Sequence, residues 1–533
     1  MMKAAENHTT ISRRELVFVI LLLGATLLLR ILNLDSYPVM SADGTGYALT
    51  GKNFIHSLDL RAIGTVMPPM YPFFIGLFSL LFDNLETATR LVSVCFSAMT
   101  VIPLYLLARC YFGAAVAAGA ALLYTFLPFM HSMSGVDLSE PTYTFFALSG
   151  VYLAVRGMTE RRRLLLLASG VFIGLAYLAR PEALVLFGGL WLLFLTLILL
   201  NREERTRSRI VMLLCLTAGW LMVAVPYMVA LHNITGKWQI SGKVGIGIQL
   251  VKDRYGVKGA YESQFRLNKD GKGYAGGGFE SPLSLLRERP DIFLANVRDN
   301  LVEFPGKVAG NVPYYLLLFA VVGMFCTPLT ALFAGRLLLF VTFLPLMSYV
   351  ILTFDPRYFY PYVPVLLLFV SVGVNAACGQ MSRIIPARLP LALCLIALLS
   401  AYYLYQDIPR QRPPYDFNQD GGRFDDKQVG LRLKSILPPQ AVLLTRSSRI
   451  GFYANRPVVI PPEAELRSSL DFARKNGVTH IVANMQLLGM RPAFEPLFQP
   501  LMAPGSVTPV PGVELVYTGQ EPGGQPYLVY GLK

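Results

Sequence analysis

Apolar runs of about twenty residues recur from position 15 to position 405 of this 533-residue chain, separated by short stretches rich in arginine. A helix needs about 20 apolar residues to cross a bilayer's hydrocarbon core. Within that core every backbone polar group must be paired by the protein itself, so runs of this length are read as helices. The sequence predicts eleven spans, near 15–34, 90–109, 114–132, 139–156, 163–180, 182–200, 210–231, 312–334, 337–354, 358–378 and 388–405. The expected class is an all-α polytopic membrane protein.

Composition agrees. Only 15% of the residues are charged and 54% are hydrophobic, where soluble domains carry about 25% charged residues. The net charge of +14 sits largely in clusters between the apolar runs. That pattern orients spans, and no nucleic-acid-binding signature accompanies it, so nucleic acid is set aside as a partner. The first run follows Arg13-Arg14, exceeds a signal-peptide core and lacks a small-x-small cleavage site, so it reads as a retained span. Cys95, Cys110, Cys215, Cys326, Cys378 and Cys394 fall in or beside apolar segments without metal or redox spacing, and read as small buried hydrophobes.

One further run, Pro68 to Phe82, is short and opens on two prolines. Counted as a twelfth span, it would put the connection RGMTERRR (Arg156–Arg163) outside; read as a juxtamembrane helix, it leaves nearly all arginine clusters on one side. The eleven-span arrangement has a cytoplasmic N-terminus. It puts residues 35–89, the loop 232–311 and the tail from 406 on the outer face. The loop is too long for a plain connection and reads as functional or mobile. The Gly-rich run AGGGF at 275–279 lacks the strand-to-helix setting of a phosphate cradle. In the tail, AVLLTRS, RPVVIPP and THIVANM read as strands, and AELRSSLDFARKNG as a helix ending on Gly477. Residues 406–533 are therefore expected to form a small α/β domain, and 1–405 the membrane domain.

The outer face collects the residues with chemical potential. Asp43, in S-A-D-G-T-G-Y just beyond the first span, reads either as a solvated loop residue or as a general base for an acceptor hydroxyl. Asp137 and Glu140 form a second acidic position; Asp137 also fits a helix cap, and Glu140 lies at the start of a span, where acids are costly. A divalent cation is the one cofactor such carboxylates allow, with His232 a further ligand candidate. Arg180 (YLARPEAL) and Arg357 (FDPRYFYPYVP) either grip a phosphate or pair with Glu182 and Asp355.

These segments together resemble a known family. Asp-x-x-x-Tyr (Asp43, Tyr47), Pro-Pro-x-Tyr (Pro68 to Tyr71), NLETATRLVSVCFSAMTVIPLYLLARCYFG, LSEPTYTFFAL, GLAYLARPEALVLF and DPRYFYPYVPVLLLF follow one another as in the polytopic GT-C glycosyltransferases. The branch is that of the protein O-mannosyltransferases and the lipid A aminoarabinose transferases (glycosyltransferase family 39-like). The resemblance spans about residues 15 to 405, and the tail resembles the periplasmic domain of bacterial members. It implies transfer of a sugar, with inversion, from a polyprenyl-phosphate donor to a lipid, glycan or protein acceptor outside a bacterial inner membrane. Asp43 matches the catalytic carboxylate, Glu140 or Asp137 the second acid, and Arg357 and Arg180 the positions near the lipid phosphate. The resemblance also makes Tyr47, Tyr71 and Tyr358 substrate-binding candidates. Two departures stand out: Gly44 replaces the second acid of the usual Asp-Glu pair, and Met67 replaces the lysine that precedes Pro-Pro in the aminoarabinose transferases.

Other classes remain. A secondary transporter calls for internal repeats and midplane charges, of which the chain shows no convincing sign. A catalytically inactive relative fits the missing second acid. An oligosaccharide or polysaccharide ligase shares the donor chemistry with a larger acceptor.

Overall fold

The computed structural model describes residues 11–34, 37–59, 66–200, 206–257, 259–274, 280–325, 339–353, 355–381, 391–407, 422–502, 510–522 and 524–533. The run 275–279, Cys326, residues 326–338 of the eighth and ninth expected spans, and most of the basic connections at 201–209 and 379–388 lie outside them. The chain divides into two compact units: Met1–Tyr37, Thr50–Lys243 and Phe293–Tyr415 form the first, and Pro38–Leu49, Val244–Ile292 and Asp416–Lys533 the second.

The first unit is helical. Where they are described, the expected spans are mainly helical, but the count of eleven crossings is not reached by length. Among the described residues four helices are long and apolar enough alone: Arg13–Leu32, Leu85–Phe112, Arg207–Thr235 and Pro356–Gln380. The total rises to six if two bent pairs each count once, Ala114–Phe126 with Pro128–Ser134 (57°) and Pro290–Ala309 with Tyr314–Phe325 (107°). Proline at the start of Pro128–Ser134 removes a ladder donor and accounts for the first bend. The remaining apolar helices, such as Arg163–Ala179 and Leu391–Gln406, have 10–17 residues.

The run from Pro68 to Phe82 contains the helix Met70–Ser79. It lies against the helix Ala42–Ser57 so closely that a Cβ at Gly51 would meet Pro72 O at 2.2 Å and one at Gly76 would meet Gly51 O at 2.5 Å. Only glycine allows that approach, the small-residue contact common between membrane helices.

The second unit contains a five-stranded mixed sheet in the order β2-β1-β3-β5-β4: β1 Leu443–Leu444, β2 Val458–Val459, β3 His480–Ala483, β4 Val513–Gln520 and β5 Pro526–Leu532. The first three strands pair in parallel, and β3-β5 and β5-β4 are antiparallel. Side chains alternate between two cores. Leu444, Ile481, Ala483, Leu528 and Tyr530 join Leu470 and Phe494 on one face; Leu443, Val482, Tyr527 and Val529 join Val429, Leu433 and Ile450 on the other. Helices thus cover both faces of the sheet, as parallel strands require. The helix Leu466–Lys475 ends before Gly477, whose φ of +70° suits a residue without a Cβ.

This unit differs from the expected tail in two ways. The hairpin β4–β5 was not anticipated, although β5 is an interior strand. The expected boundary at 405/406 also leaves out Pro38–Leu49 and Val244–Ile292, which cluster with the tail because their polar groups find partners there. In the long loop, Arg446 and Arg491 meet Glu262 at 2.7 and 2.6 Å, Arg266 meets Glu463 at 2.9 Å, and Tyr274 donates to Ile460 O at 2.5 Å. This loop is held by ion pairs rather than acting as a plain connection. Burial alone would raise the Glu262 carboxyl, but hydrogen bonds from Arg446 and Arg491 hold it below the usual carboxylate range.

Candidate active site

Three chain breaks in the first unit bring distant charges together. Arg180 caps the C-terminus of the helix Arg163–Ala179 in extended conformation, which turns its side chain out of the helical register. Glu140 opens the helix Glu140–Glu160, where the helix dipole favours an anion. Arg357 lies in the 3₁₀ turn Pro356–Tyr362, whose start is capped by Asp355 accepting the Arg357 N–H at 3.0 Å.

Arg180 Nη1 contacts Glu140 Oε1 at 2.6 Å, and Nη2 lies 3.3 Å from Glu182 Oε1 and 3.2 Å from the Tyr349 hydroxyl. Arg357 Nε is 4.0 Å from Glu140 Oε1 and 3.7 Å from Asp355 Oδ2. The Tyr358 ring stacks on Tyr349 at 4.5 Å and lies under both guanidinium groups, 5.0 Å from Arg180 and 5.2 Å from Arg357. Both pairings weighed from sequence, Arg180 with Glu182 and Arg357 with Asp355, are therefore present, and Glu140 links the two arginines. Arg180 and Glu140 are buried, whereas the Arg357 side chain is 15% exposed and its ion pairs are longer. Arg357 is the less buried of the two.

The cluster leaves polar atoms unmet. Thr142 Oγ1, Arg180 Nε and Glu182 Oε2 are buried without a hydrogen-bond partner among the described residues. Buried polar atoms in folded proteins are normally satisfied, so orphans mark a place for water or ligand.

Asparagines support the Arg357 turn from below. Asn296 and Asn300, one helical turn apart on Pro290–Ala309 and wholly buried, donate to Ile351 O and Leu352 O (2.8 and 2.6 Å) and to Val350 O and Leu352 O (2.9 and 3.0 Å). Asn311 donates to Pro356 O at 3.0 Å. The Val350, Ile351 and Leu352 carbonyls end the helix Leu346–Ile351 and would otherwise be orphaned. Sequence reading missed them; the signal was the i, i+4 asparagine spacing within a segment taken for loop.

The other candidates are placed as follows. Asp43 is half-buried in the first turn of Ala42–Ser57 rather than in a loop, and Tyr47, one turn on, is buried. Tyr71 is fully buried, its hydroxyl 2.8 Å from Ser93 Oγ and donating to Thr89 O at 3.2 Å. Asp137 is buried. His232, in the last turn of Thr206–Thr235, stacks on Trp238 at 4.3 Å and 6°.

Asp137, Glu140 and His232 do not assemble as metal ligands: among the described residues no three His, Cys, Asp or Glu side chains stand close enough to share an ion. Glu140 is committed to Arg180, and a dication there would face two guanidinium groups.

Sequence analysis also missed Arg30. It is wholly buried in the last turn of Arg13–Leu32, its three guanidinium nitrogens have no hydrogen-bond partner among the described residues, and it lies 4.8 Å over the Tyr124 ring. An arginine inside an apolar run was the available signal.

An apolar cavity of about 290 Å³ opens elsewhere in the first unit, lined by Phe54, Met70, Phe73, Leu178, Pro226 and Leu231 among others. It lies among the helices Ala42–Ser57, Met70–Ser79, Arg163–Ala179 and Thr206–Thr235.

Comparison with known proteins gives this arrangement its context. The family model for dolichyl-phosphate-mannose-protein mannosyltransferase matches residues 66–229. ArnT from Cupriavidus metallidurans, solved with undecaprenyl phosphate, is similar at 14% identity and a TM-score of 0.56, over 96% of this chain and 97% of that one. The oligosaccharyltransferase AglB from Archaeoglobus fulgidus, in complex with an inhibitory peptide and a dolichol-phosphate, is similar at 13% identity and a TM-score of 0.52, over 96% of this chain and 74% of that one. No curated protein sequence matches. The chain has a GT-C fold like that of ArnT.

Proposed function

We propose that this protein is a membrane glycosyltransferase that takes a sugar from a polyprenyl-phosphate donor and transfers it, with inversion, to a lipid, glycan or protein acceptor. The observation that carries the reading is the constellation of buried Arg180 and Glu140 with half-buried Arg357 and Tyr358. Arg357 is the group suited to a lipid phosphate, because a guanidinium pairs bidentately with phosphate oxygens and its side chain is less buried than that of Arg180. Arg180, locked by Glu140, fixes the Tyr358 face and the local charge. The apolar cavity suits isoprenoid units, which bind by burial of apolar area.

In the reaction Asp43 takes the proton of the acceptor hydroxyl as that oxygen attacks the anomeric carbon. The bond from that carbon to the phosphate oxygen breaks, and the electron pair leaves with the polyprenyl phosphate. Arg357 stabilises the charge that develops on the phosphate. No step is routed through a metal ion. The eleven-span topology, a cytoplasmic N-terminus, a periplasmic second unit and a bacterial inner membrane are parts of the same proposal; the placement of arginine clusters supports them.

The test uses the purified full-length protein in lipid nanodiscs with a panel of undecaprenyl-phosphate sugars: mannose, galactose, N-acetylglucosamine and 4-amino-arabinose. Native mass spectrometry reads binding, and release of undecaprenyl phosphate reads transfer. Binding of at least one donor, weakened at least tenfold by Arg357→Ala, is expected. No binding across the panel, with undecaprenyl phosphate itself also unbound, would move the assignment to a transporter or inactive relative.

A further inference from the structure

We infer that the C-terminal α/β domain sets the position of Asp43, with Tyr453 and Ser448 acting as positioning residues for the transfer. The inference rests on the reading of Asp43 as the base.

The turn that carries Asp43 is a weak helix start. Its sequence, Ser-Ala-Asp-Gly-Thr-Gly, places glycines at 44 and 46, and glycine is among the poorest helix formers. Local capping supplies part of what it lacks: Ser41 Oγ accepts the Gly44 N–H at 2.9 Å, and the Thr45 hydroxyl donates to Ala42 O at 2.9 Å. The remaining support comes from the tail, more than 380 residues away in sequence.

Three side chains provide it. The Met40 N–H donates to the Tyr453 phenol oxygen at 3.0 Å. The hydroxyls of Thr45 and Ser448 meet at 3.0 Å. Lys427 Nζ donates to Pro38 O at 2.7 Å and stands 4.8 Å over the Tyr453 ring, which links the first and third grips. The chain is thus held two residues after Asp43 and at two points before it. Met40 and Thr45 are buried to 1% and 0% exposure, while Asp43 between them keeps partial access.

Ser448 and Tyr453 share one short helix, Ser448–Ala454, anchored in the domain core through Ile450 and Ala454. Arg449 beside them is tied to Asp426 at 2.6 Å, and Asp426 accepts from Ser447 Oγ at 2.7 Å. The grip therefore has a rigid base. A general base works only when its oxygen lies within hydrogen-bond reach of the proton it takes, and a misplacement of about 1 Å costs up to about a hundredfold in rate.

The decisive variant is Tyr453→Phe with Ser448→Ala in the full-length protein. It removes two oxygens yet keeps the ring beneath Lys427, so the domain stays folded. Hydrogen exchange by mass spectrometry reads the grip without any substrate: amides of residues 40–46 should be protected in the wild type and exchange at least tenfold faster in the variant. Turnover of whichever undecaprenyl-phosphate sugar the wild type uses should show kcat lowered about tenfold with donor KM within twofold, and Ser448→Thr should keep the wild-type rate. Thr45→Cys paired with Ser448→Cys should close a disulfide on oxidation.

Unchanged exchange in the double variant overturns the inference, as does a wild-type kcat or an effect confined to KM. Asp43→Asn, run in parallel, separates the two readings. A fully active Asp43→Asn sinks the base assignment itself, whereas an inactive Asp43→Asn beside a fully active double variant sinks only the positioning role.

Discussion

Glu140→Gln should destabilise the protein sharply, and the size of the effect follows from the geometry around Arg180. The pair is closed at 2.6 Å with side-chain exposures of 4% and 2%, so neither charge has water as an alternative partner. Two unit charges about 4 Å apart interact by about 4 kcal/mol at an effective dielectric of 20. Removing one partner of a buried pair costs about 3–5 kcal/mol, because the other is left buried and uncompensated. Glu182 at 3.3 Å keeps part of that compensation for Arg180, which places Glu140→Gln near the lower end, about 3 kcal/mol. Arg180→Met takes the nearest cation from both Glu140 and Glu182, with only the longer Arg357 contact left to Glu140, and belongs at the upper end. With both changed, the stranded charges at 140 and 180 are gone together, so the double variant should be more stable than the sum of the singles by about 2–4 kcal/mol. The assay is thermal unfolding of the four proteins in one detergent, combined as a double-mutant cycle. Additive effects would refute the coupled cluster and with it the division of labour between Arg180 and Arg357.

Other perturbations test separate parts of the structure. Burial raises the Glu521 carboxyl to about 7, with Asn484 opposing and Asp425 and Asp426 adding to the rise. A carboxyl raised in the folded state favours folding below its unfolded pKa and loses that contribution as pH climbs to the folded value. Stability of the C-terminal domain should therefore fall between about pH 4.5 and 7, and Glu521→Gln should flatten that fall in melting curves; an unchanged slope refutes the assignment. Asn300→Ala should cost about 2 kcal/mol by leaving the Val350 carbonyl buried without its donor and Leu352 O with Asn296 alone, and should weaken donor binding through the Arg357 turn; a melting point equal to wild type would exclude that support role. Arg30→Met should raise the melting point, since desolvating an unpaired guanidinium costs several kcal/mol and its contact with Tyr124 returns about 2 kcal/mol at most. A clear drop would mean that the charge has a partner in solution.

Much of the membrane architecture was legible because long apolar runs are one-dimensional signals. Where they are described, the expected spans are mainly helical, and the run Pro68–Phe82 contains the helix Met70–Ser79. What length could not convey was breakage: Ala114–Phe126 turns by 57° into Pro128–Ser134, and a helix inside the supposed loop, Pro290–Ala309, turns by 107° into Tyr314–Phe325. The three parallel strands were readable from short apolar runs between turn residues. The hairpin β4–β5 was not recognised, although VELVYTG alternates and Gly523-Gly524 lies between its strands.

The site was legible as residue types and illegible as pairing. Arg180, Arg357 and Glu140 stood out because charged side chains beside apolar spans are expensive. The sequence offered each arginine a near neighbour as partner, Glu182 and Asp355, and both contacts formed. It could not reveal that Glu140, forty residues before one arginine and more than two hundred before the other, would join them. Asp43 shows the same limit in the other direction. Its surroundings read as a flexible loop because glycines dominate locally, yet Tyr453, Ser448 and Lys427 convert that weak sequence into an ordered turn. A glycine-rich start that a remote domain must complete makes the turn conditional on that domain being folded. If Asp43 is the base, the chain thereby ties its chemistry to the integrity of a domain that takes no direct part in the reaction.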